Sequence, residues 1–302
     1  MKAAGTGWVR TLPRGAAPER LRVRKTYKLY VGGTFPRSES GRSYPVTNPA
    51  GELLAHAAQA SRKDVRDAVV AARKAFPGWS AATAYNRGQV LYRIAEMLDG
   101  RREQFAAEVR NAEGGSAAAA LATVAQAIDR WVWYAGWADK YAQVTGSANP
   151  VAGPYFNFSL PEPTGVVGAL APQESSLLGL VSVLAPIITT GNTTVVVASR
   201  ERPLPAVSLT EVLATSDLPG GVVNVLTGYP GELAPWLASH RDVNAVDLTG
   251  VDPADRPALQ QAAADNVKRA YAPADEDWRS DPSTARLAAF IETKTVWHPV
   301  EV

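Results

Sequence analysis

The sequence predicts an α/β fold built on a doubly wound parallel sheet, and three observations carry that expectation. From residue 166 onward, short β-rich runs alternate with stretches at helical spacing, the order that produces right-handed crossovers. Those runs (166–171, 193–198, 222–226 and 245–248) are apolar without alternation, as strands are when helices cover both faces. The 302 residues, 46% of them apolar, suffice for one large core or two ordinary ones.

Taken in order, the chain opens with a basic arm over 1–26, followed by Lys28. Residues 1–28 hold Lys2, Arg10, Arg14, Arg20, Arg22, Arg24, Lys25 and Lys28 against one acid, Glu19. An organellar leader has this composition, but a surface arm packing through Trp8, Val9, Leu21 and Val23 is the expectation here, with residence in the cytoplasm. Strand signals at 28–31 and 42–46 are separated by Gly32-Gly33. Ser61 with Asp64 reads as a capping box. Val65, Ala68, Val69, Ala72 and Phe76 then define one buried helical stripe, which Pro77-Gly78 is expected to stop. Val90, Leu91, Ile94 and Leu98 mark a second helix ending at Gly100, and 103–112 a third ending at Gly114-Gly115. A long helix is expected over 117–144. Its Trp131, Trp133, Tyr134, Trp137 and Tyr141 lack the basic groove of a base-stacking surface and read as a helix–helix seam.

Residues 155–160 alternate like a half-buried strand. The four apolar strands follow, with helices expected over 175–188, 204–215, 231–239 and 254–266. The run 273–284 is an acidic, proline-bearing linker (Asp275, Glu276, Asp277, Asp281), and 290–297 carries one more β signal.

Composition excludes several chemistries. With no cysteine, disulfides, thiolate metal sites and cysteine nucleophiles are absent from this sequence. His56, His240 and His298 are too scattered for a histidine-rich metal cluster. A net charge of +2 gives no global reason for a nucleic-acid or membrane partner. The longest apolar stretch, 177–188, is broken by Gly179, Ser182 and Pro186 and is shorter than the ~20 residues a spanning helix needs. Ser175-Ser176 has no nearby histidine or nucleophile elbow and reads as helix-cap chemistry. Glu174 and Glu162 flank one strand, where paired acid–base work is conceivable but turn-facing acids are the simpler reading.

A set of phrases in fixed order resembles the aldehyde dehydrogenase superfamily: Lys25-Thr-Tyr-Lys-Leu-Tyr-Val-Gly-Gly33, Thr47-Asn-Pro-Ala50, Glu162-Pro-Thr-Gly-Val-Val-Gly168, Gly191-Asn-Thr193, Pro203-Leu204, Leu218-Pro-Gly-Gly-Val-Val-Asn-Val-Leu-Thr-Gly228 and Leu248-Thr-Gly250. Glu292-Thr-Lys-Thr-Val-Trp297 resembles the strand near the end of family members. The resemblance implies a Rossmann-like dinucleotide-binding domain over 27–270, with an arm strand at 155–160. A linker over 271–285 stands where the family inserts its catalytic domain and cysteine nucleophile, and an oligomerisation strand follows over 286–302.

The implied site departs from the family's pattern. Pro172-Gln173-Glu174 replaces Pro-Trp-Asn, so the carboxylate of Glu174 stands where an amide donates to the developing oxyanion. Such a donor is worth ~3 kcal/mol, and a carboxylate opposes it. Val197-Ala-Ser199-Arg200 replaces the phrase whose Lys and Glu contact the adenosine ribose. Val251-Asp-Pro-Ala-Asp255 puts two acids where the pyrophosphate is expected, against the pull of a helix N-terminus. Degenerate cofactor candidates are Pro172, Val197, Ser199, Gly228, Thr249 and Gly250. Gly228 and Gly231 are explained by tight turns with positive φ. The resemblance therefore implies no cofactor, or at most weak NAD or NADP binding.

What the resemblance implies for function is a non-catalytic subunit that joins a full-length aldehyde dehydrogenase, or itself, through Tyr155, Phe156, Phe158, Ile291, Thr293, Thr295 and Trp297. The two strands are expected to form a ribbon that needs another chain. The alternatives are a divergent NAD(P)-dependent oxidoreductase whose catalytic domain comes from another chain, and a nucleotide sensor without turnover.

Overall fold

The computed structural model describes residues 25–274 and 276–300. The expectation of a basic arm falls largely on 1–24, outside the described residues.

Strands β1 (Thr26–Tyr27), β2 (Ser43–Thr47) and β3 (Leu53–Ala58) form a small sheet in the order β1-β3-β2. Helix α1 (Arg62–Ala81) begins with the expected capping box of Ser61 and Asp64. It does not stop at Pro77. Trp79, one turn from the end, is buried and donates its indole N–H to Ile188 O at 2.9 Å, so tertiary anchoring holds the turn that proline weakens. Helices α2 (Ala84–Asp99) and α3 (Arg102–Glu113) fall where periodicity puts them. The expected long helix is two, α4 (Ala117–Trp137) and α5 (Tyr141–Thr145). Between them Ala138 N bonds Ala135 O and Lys140 N bonds Trp137 O, a tightening that turns Tyr141 into the core. Trp131 and Tyr134 are fully buried, which makes this aromatic run a packing seam.

After β4 (Ser147–Asn149) and β5 (Tyr155–Pro163), the main domain follows as β6 (Val166–Leu170), α6 (Leu178–Thr189), β7 (Thr193–Val197), α7 (Leu204–Ala214), β8 (Val223–Leu226), α8 (Pro230–Ser239), β9 (Ala245–Asp247), α9 (Arg256–Ala264) and β10 (Arg269–Tyr271). The five strands are parallel in the order β10-β9-β6-β7-β8. The sequence pattern does not announce β10, because three residues with a charged first member leave no apolar run to detect. One apolar layer packs α2, α3, α4, α6 and α7 on one face of the sheet, and another packs α1, α8 and α9 on the opposite face. The chain leaves β6 toward β7 and β8 on one side and returns to β9 and β10 on the other. The crevice outside the carboxyl ends of β6 and β9 is thus the topological switch point, where ligands of such sheets bind.

The chain ends with α10 (Ala285–Ala289) and β11 (Ile291–Pro299). β11 pairs antiparallel with β5 from Ile291↔Pro163 to Pro299↔Tyr155. The ribbon has a third strand, since β4 pairs the other side of β5, and the order is β11-β5-β4. Register also corrects the expected apolar face. Val296 pairs with Phe158, and His298 with Phe156. Phe156 and Phe158 therefore share a face with Val296, opposite to Ile291, Thr293, Thr295 and Trp297. The latter four lie with Tyr155, Asn157 and Ser159, in a layer that is partly polar. Thr295 and Ser159 share a hydroxyl–hydroxyl bond of 2.9 Å, and Asn149 Nδ2 donates to Ser159 Oγ at 2.9 Å and to Asn157 Oδ1 at 2.6 Å. Alternation gives the phase within each strand, but only the register relates one strand to the next.

Candidate functional site

At the switch point the end of β6 and the turn after β9 come together. Gly250 N donates to Leu170 O at 2.9 Å, and a Cβ on Gly250 would lie 1.9 Å from Ala171 O. Only glycine permits this approach, so Gly250 is explained by backbone packing. Gly228 has φ +146, as a tight turn requires. Gly231 does not, contrary to expectation: it lies in the first turn of α8, and a Cβ there would meet nothing within 4 Å.

The other candidates separate. Val197 is fully buried in the layer shared with α1, α8 and α9 and offers nothing to a ligand. Ser199 Oγ donates to Gln173 O at 3.0 Å and accepts from Arg202 N at 3.2 Å, tying the loops after β6 and β7 together. Pro172 lies against the start of α6, where a Cβ on Gly179 would come within 3.0 Å of its ring. Ser175 Oγ accepts from Gly179 N at 2.9 Å, while Ser176 donates through both N and Oγ to Glu113 at 2.6 Å. Both serines therefore serve the loop and helix start. Glu162 is held by Lys294 at 2.9 Å on the arm, and Glu174 Oε1 accepts from Trp278 Nε1 at 2.8 Å, so the two carboxylates have separate partners.

The contact between Glu174 and Trp278 belongs to a feature that the sequence pattern does not reveal. Segment 276–286 folds back over the switch point. Arg286 from α10 is buried and reaches Asp247 Oδ2 at 2.8 Å, Glu276 Oε2 at 2.8 Å and Thr249 Oγ1 at 3.0 Å. Thr249 Oγ1 donates in turn to Asp247. The guanidinium carbon lies 5.1 Å from the Tyr271 ring and 5.4 Å from the Trp278 ring, within cation–π range. Burial disfavours its charge, but Asp247 and Glu276 outweigh that and raise its pKa above the ordinary arginine value. From α4, Arg130 donates to Ser182 Oγ at 3.0 Å and to the carbonyls of Trp278 and Ser280 at 2.9 Å each. Burial lowers the Arg130 pKa. The detectable signal was a lone arginine among small and apolar neighbours at 285–290, with an aspartate closing an otherwise apolar strand.

On the other side of the sheet the crevice is open. A cleft of about 470 Å³ runs between α8 and α9, with Ala234, Pro235, Val251 and Leu259 among its walls. Gln173 and Arg200 also line it, as do Asp252 and Asp255 just before α9. Arg200 lies 4.3 Å from the Tyr229 ring centroid and has no carboxylate partner among the described residues. It also lines an adjoining cleft of about 460 Å³ together with Tyr44 and Arg202. The Tyr44 hydroxyl is buried without a hydrogen bond, and burial raises its pKa. Among the described residues no group of three or more His, Cys, Asp or Glu side chains is placed to hold a metal, and no helix is long and apolar enough to cross a membrane.

The aldehyde dehydrogenase family profile matches residues 35–273. Aldehyde dehydrogenase, cytosolic 1, of Elephantulus edwardii is 33% identical over 247 residues, covering 80% of this chain and 49% of the relative. Retinal dehydrogenase 2 of Homo sapiens is 33% identical over 251 residues, covering 81% and 48%. Among solved structures, the NAD+ complex of aldehyde dehydrogenase from Bacillus cereus superposes with a TM-score of 0.77 at 26% identity, covering 82% of this chain and 50% of that one. A structure of aldehyde dehydrogenase from Burkholderia cenocepacia does so with a TM-score of 0.77 at 30% identity, covering 81% and 50%. The chain spans about half the length of the curated relatives it matches.

Proposed function

The chain belongs to the aldehyde dehydrogenase family, and we propose that it acts as a non-catalytic member that assembles with a full-length aldehyde dehydrogenase and stabilises or regulates it. The observation that carries this reading is the arm. β11 and β5 pair over nine positions, β11 is an outer strand, and Tyr155, Phe156, Leu160 and Trp297 are exposed on the ribbon. An outer strand beside exposed aromatics is a surface for strand addition by another chain.

The site supports the same reading. The sequence has no cysteine to attack an aldehyde, and Glu174 offers a carboxylate where a developing oxyanion needs a donor. The residues present do not suit NAD or NADP along the whole crevice. Val197 is core, Asp252 and Asp255 repel phosphate, and 276–286 lies over the switch point. Binding of either dinucleotide is at most weak. An oxidoreductase completed by another chain's catalytic domain is disfavoured for the same reason. Residence in the cytoplasm fits the names of the relatives and is part of this proposal.

Co-expression with a full-length aldehyde dehydrogenase from the same source, followed by affinity purification through this chain, tests assembly. A stoichiometric complex is expected. Recovery of this chain alone, together with aldehyde oxidation by the isolated chain above a mock preparation, would overturn the reading.

A further inference from the structure

We infer that the crevice is divided: segment 276–286 is a strap that seals one half, and the half left open between α8 and α9 binds a nucleoside monophosphate. The strap is fixed at several points on the crevice wall. Arg286 is bonded to Asp247 and Thr249 at the end of β9, Trp278 to Glu174 after β6, and Arg130 holds the carbonyls of residues 278 and 280. These are the two loops that border the switch point, so a ligand extending across it collides with the chain's own side chains.

The open half has three kinds of lining in one cleft. Ala234, Pro235, Val251 and Leu259 give an apolar slot for a flat ring. Asp252 and Asp255 give carboxylates that accept hydrogen bonds from sugar hydroxyls and repel phosphate. Arg200, at the other side, supplies a guanidinium without a carboxylate partner, suited to one anionic group. Its volume of about 470 Å³ lies in the range of small-molecule sites, ~300–1,000 Å³. A base, a sugar diol and a single phosphate match this lining. A second phosphate and second nucleoside would have to pass the two aspartates and enter the half that the strap fills.

The inference deepens the proposed function at the same crevice, and its test is separate from assembly. Calorimetry on the full chain compares AMP with NAD at one ionic strength. AMP is expected to bind, and NAD to bind no more tightly. Arg200→Glu should weaken AMP by about tenfold or more while leaving the circular-dichroism spectrum and the co-purification of a partner unchanged. Trp278→Ala, which frees Glu174 and loosens the strap, should tighten NAD by about tenfold and leave AMP unchanged. Trp278→Phe keeps the ring and loses only the N–H, and it should shift NAD in the same direction. NAD binding about tenfold tighter than AMP in the unaltered chain would overturn the sealed half. Absence of AMP binding at millimolar concentration, or AMP binding indifferent to Arg200→Glu, would overturn the open one. Loss of assembly with AMP binding intact would sink only the subunit reading.

Discussion

Arg286 and Asp247 meet at 2.8 Å with side-chain exposures of 7% and 0%, joining the last short helix to the end of β9. A charge at such depth is tolerated only when its partner is in place. Glu276 and Thr249 take further guanidinium donors, so the cluster is satisfied as a unit.

Removing one member should therefore cost more than an ordinary surface contact. Arg286→Met leaves Asp247 buried without its cation and is expected to destabilise the fold by ~3–5 kcal/mol. Adding Asp247→Asn should recover part of that loss, because the stranded charge is gone. Chemical denaturation of both variants measures it, and a single variant within ~1 kcal/mol of the parent would show that the pair does not secure the strap.

Two glycines at the same crevice should behave in opposite ways. Gly250→Ala forces a methyl to 1.9 Å from Ala171 O, so the two strand ends must separate. The loss is expected to exceed ~3 kcal/mol, at the severe end for a point variant. Gly231→Ala adds a methyl to open space within α8 and should stabilise by up to ~1 kcal/mol through helix propensity. Thermal melts of the pair distinguish backbone packing from ligand contact as the reason for each glycine.

Acid should loosen the junction between sheet and arm. Glu292 accepts two bonds from Arg269, at 2.6 and 2.8 Å, and that contact holds its pKa below the ordinary 4.5. A depressed carboxylate contributes stability that is present above its unfolded pKa and is lost as pH falls through the folded one. The contribution of this exposed pair is small, under ~1 kcal/mol. Glu292→Gln should lower stability slightly at pH 7 and converge with the parent below the folded pKa. Denaturation curves at pH 7 and in acid test this, and a constant gap between the two proteins would contradict it.

The doubly wound sheet was legible because β6, β7 and β8 are buried on both faces, and burial demands uninterrupted apolar runs. The capping box at Ser61 was legible because it is local. Pro77 misled because the contact that rescues its helix, Trp79 to Ile188 O, spans more than a hundred residues. The strap was hidden for the same reason. Residues 276–284 have a linker's composition, and nothing local reveals that Trp278 meets Glu174 or that Arg286 finds Asp247. Candidate ligand residues chosen by position alone fared unevenly, since Val197 points into the core while Arg200, three residues on, lines the open cleft.

The arm can be tested only by changes that spare the core. Truncation after Ala285 removes more than a strand. It deletes Arg286, and also Leu287 and Phe290, which are fully buried in the main core. A cut that spares the core has to come after Phe290. A point variant is cleaner. Phe290 O accepts from Thr164 N, and Val300 N donates to Pro154 O, so even-numbered residues of this stretch bond toward β5. In an antiparallel ladder the odd-numbered residues then direct their N–H groups to the open edge. Thr293, opposite Pro161, is one of these. Thr293→Pro removes one edge donor without taking a bond from the β5 ladder, and it fixes φ in mid-strand. The variant should keep the helical circular-dichroism signal and the parent's melting profile while losing co-purification with a full-length partner. Thr293→Ala, which retains the N–H, should assemble normally. If Thr293→Pro assembles as well as the parent, the edge of β11 is not the surface through which this chain joins another.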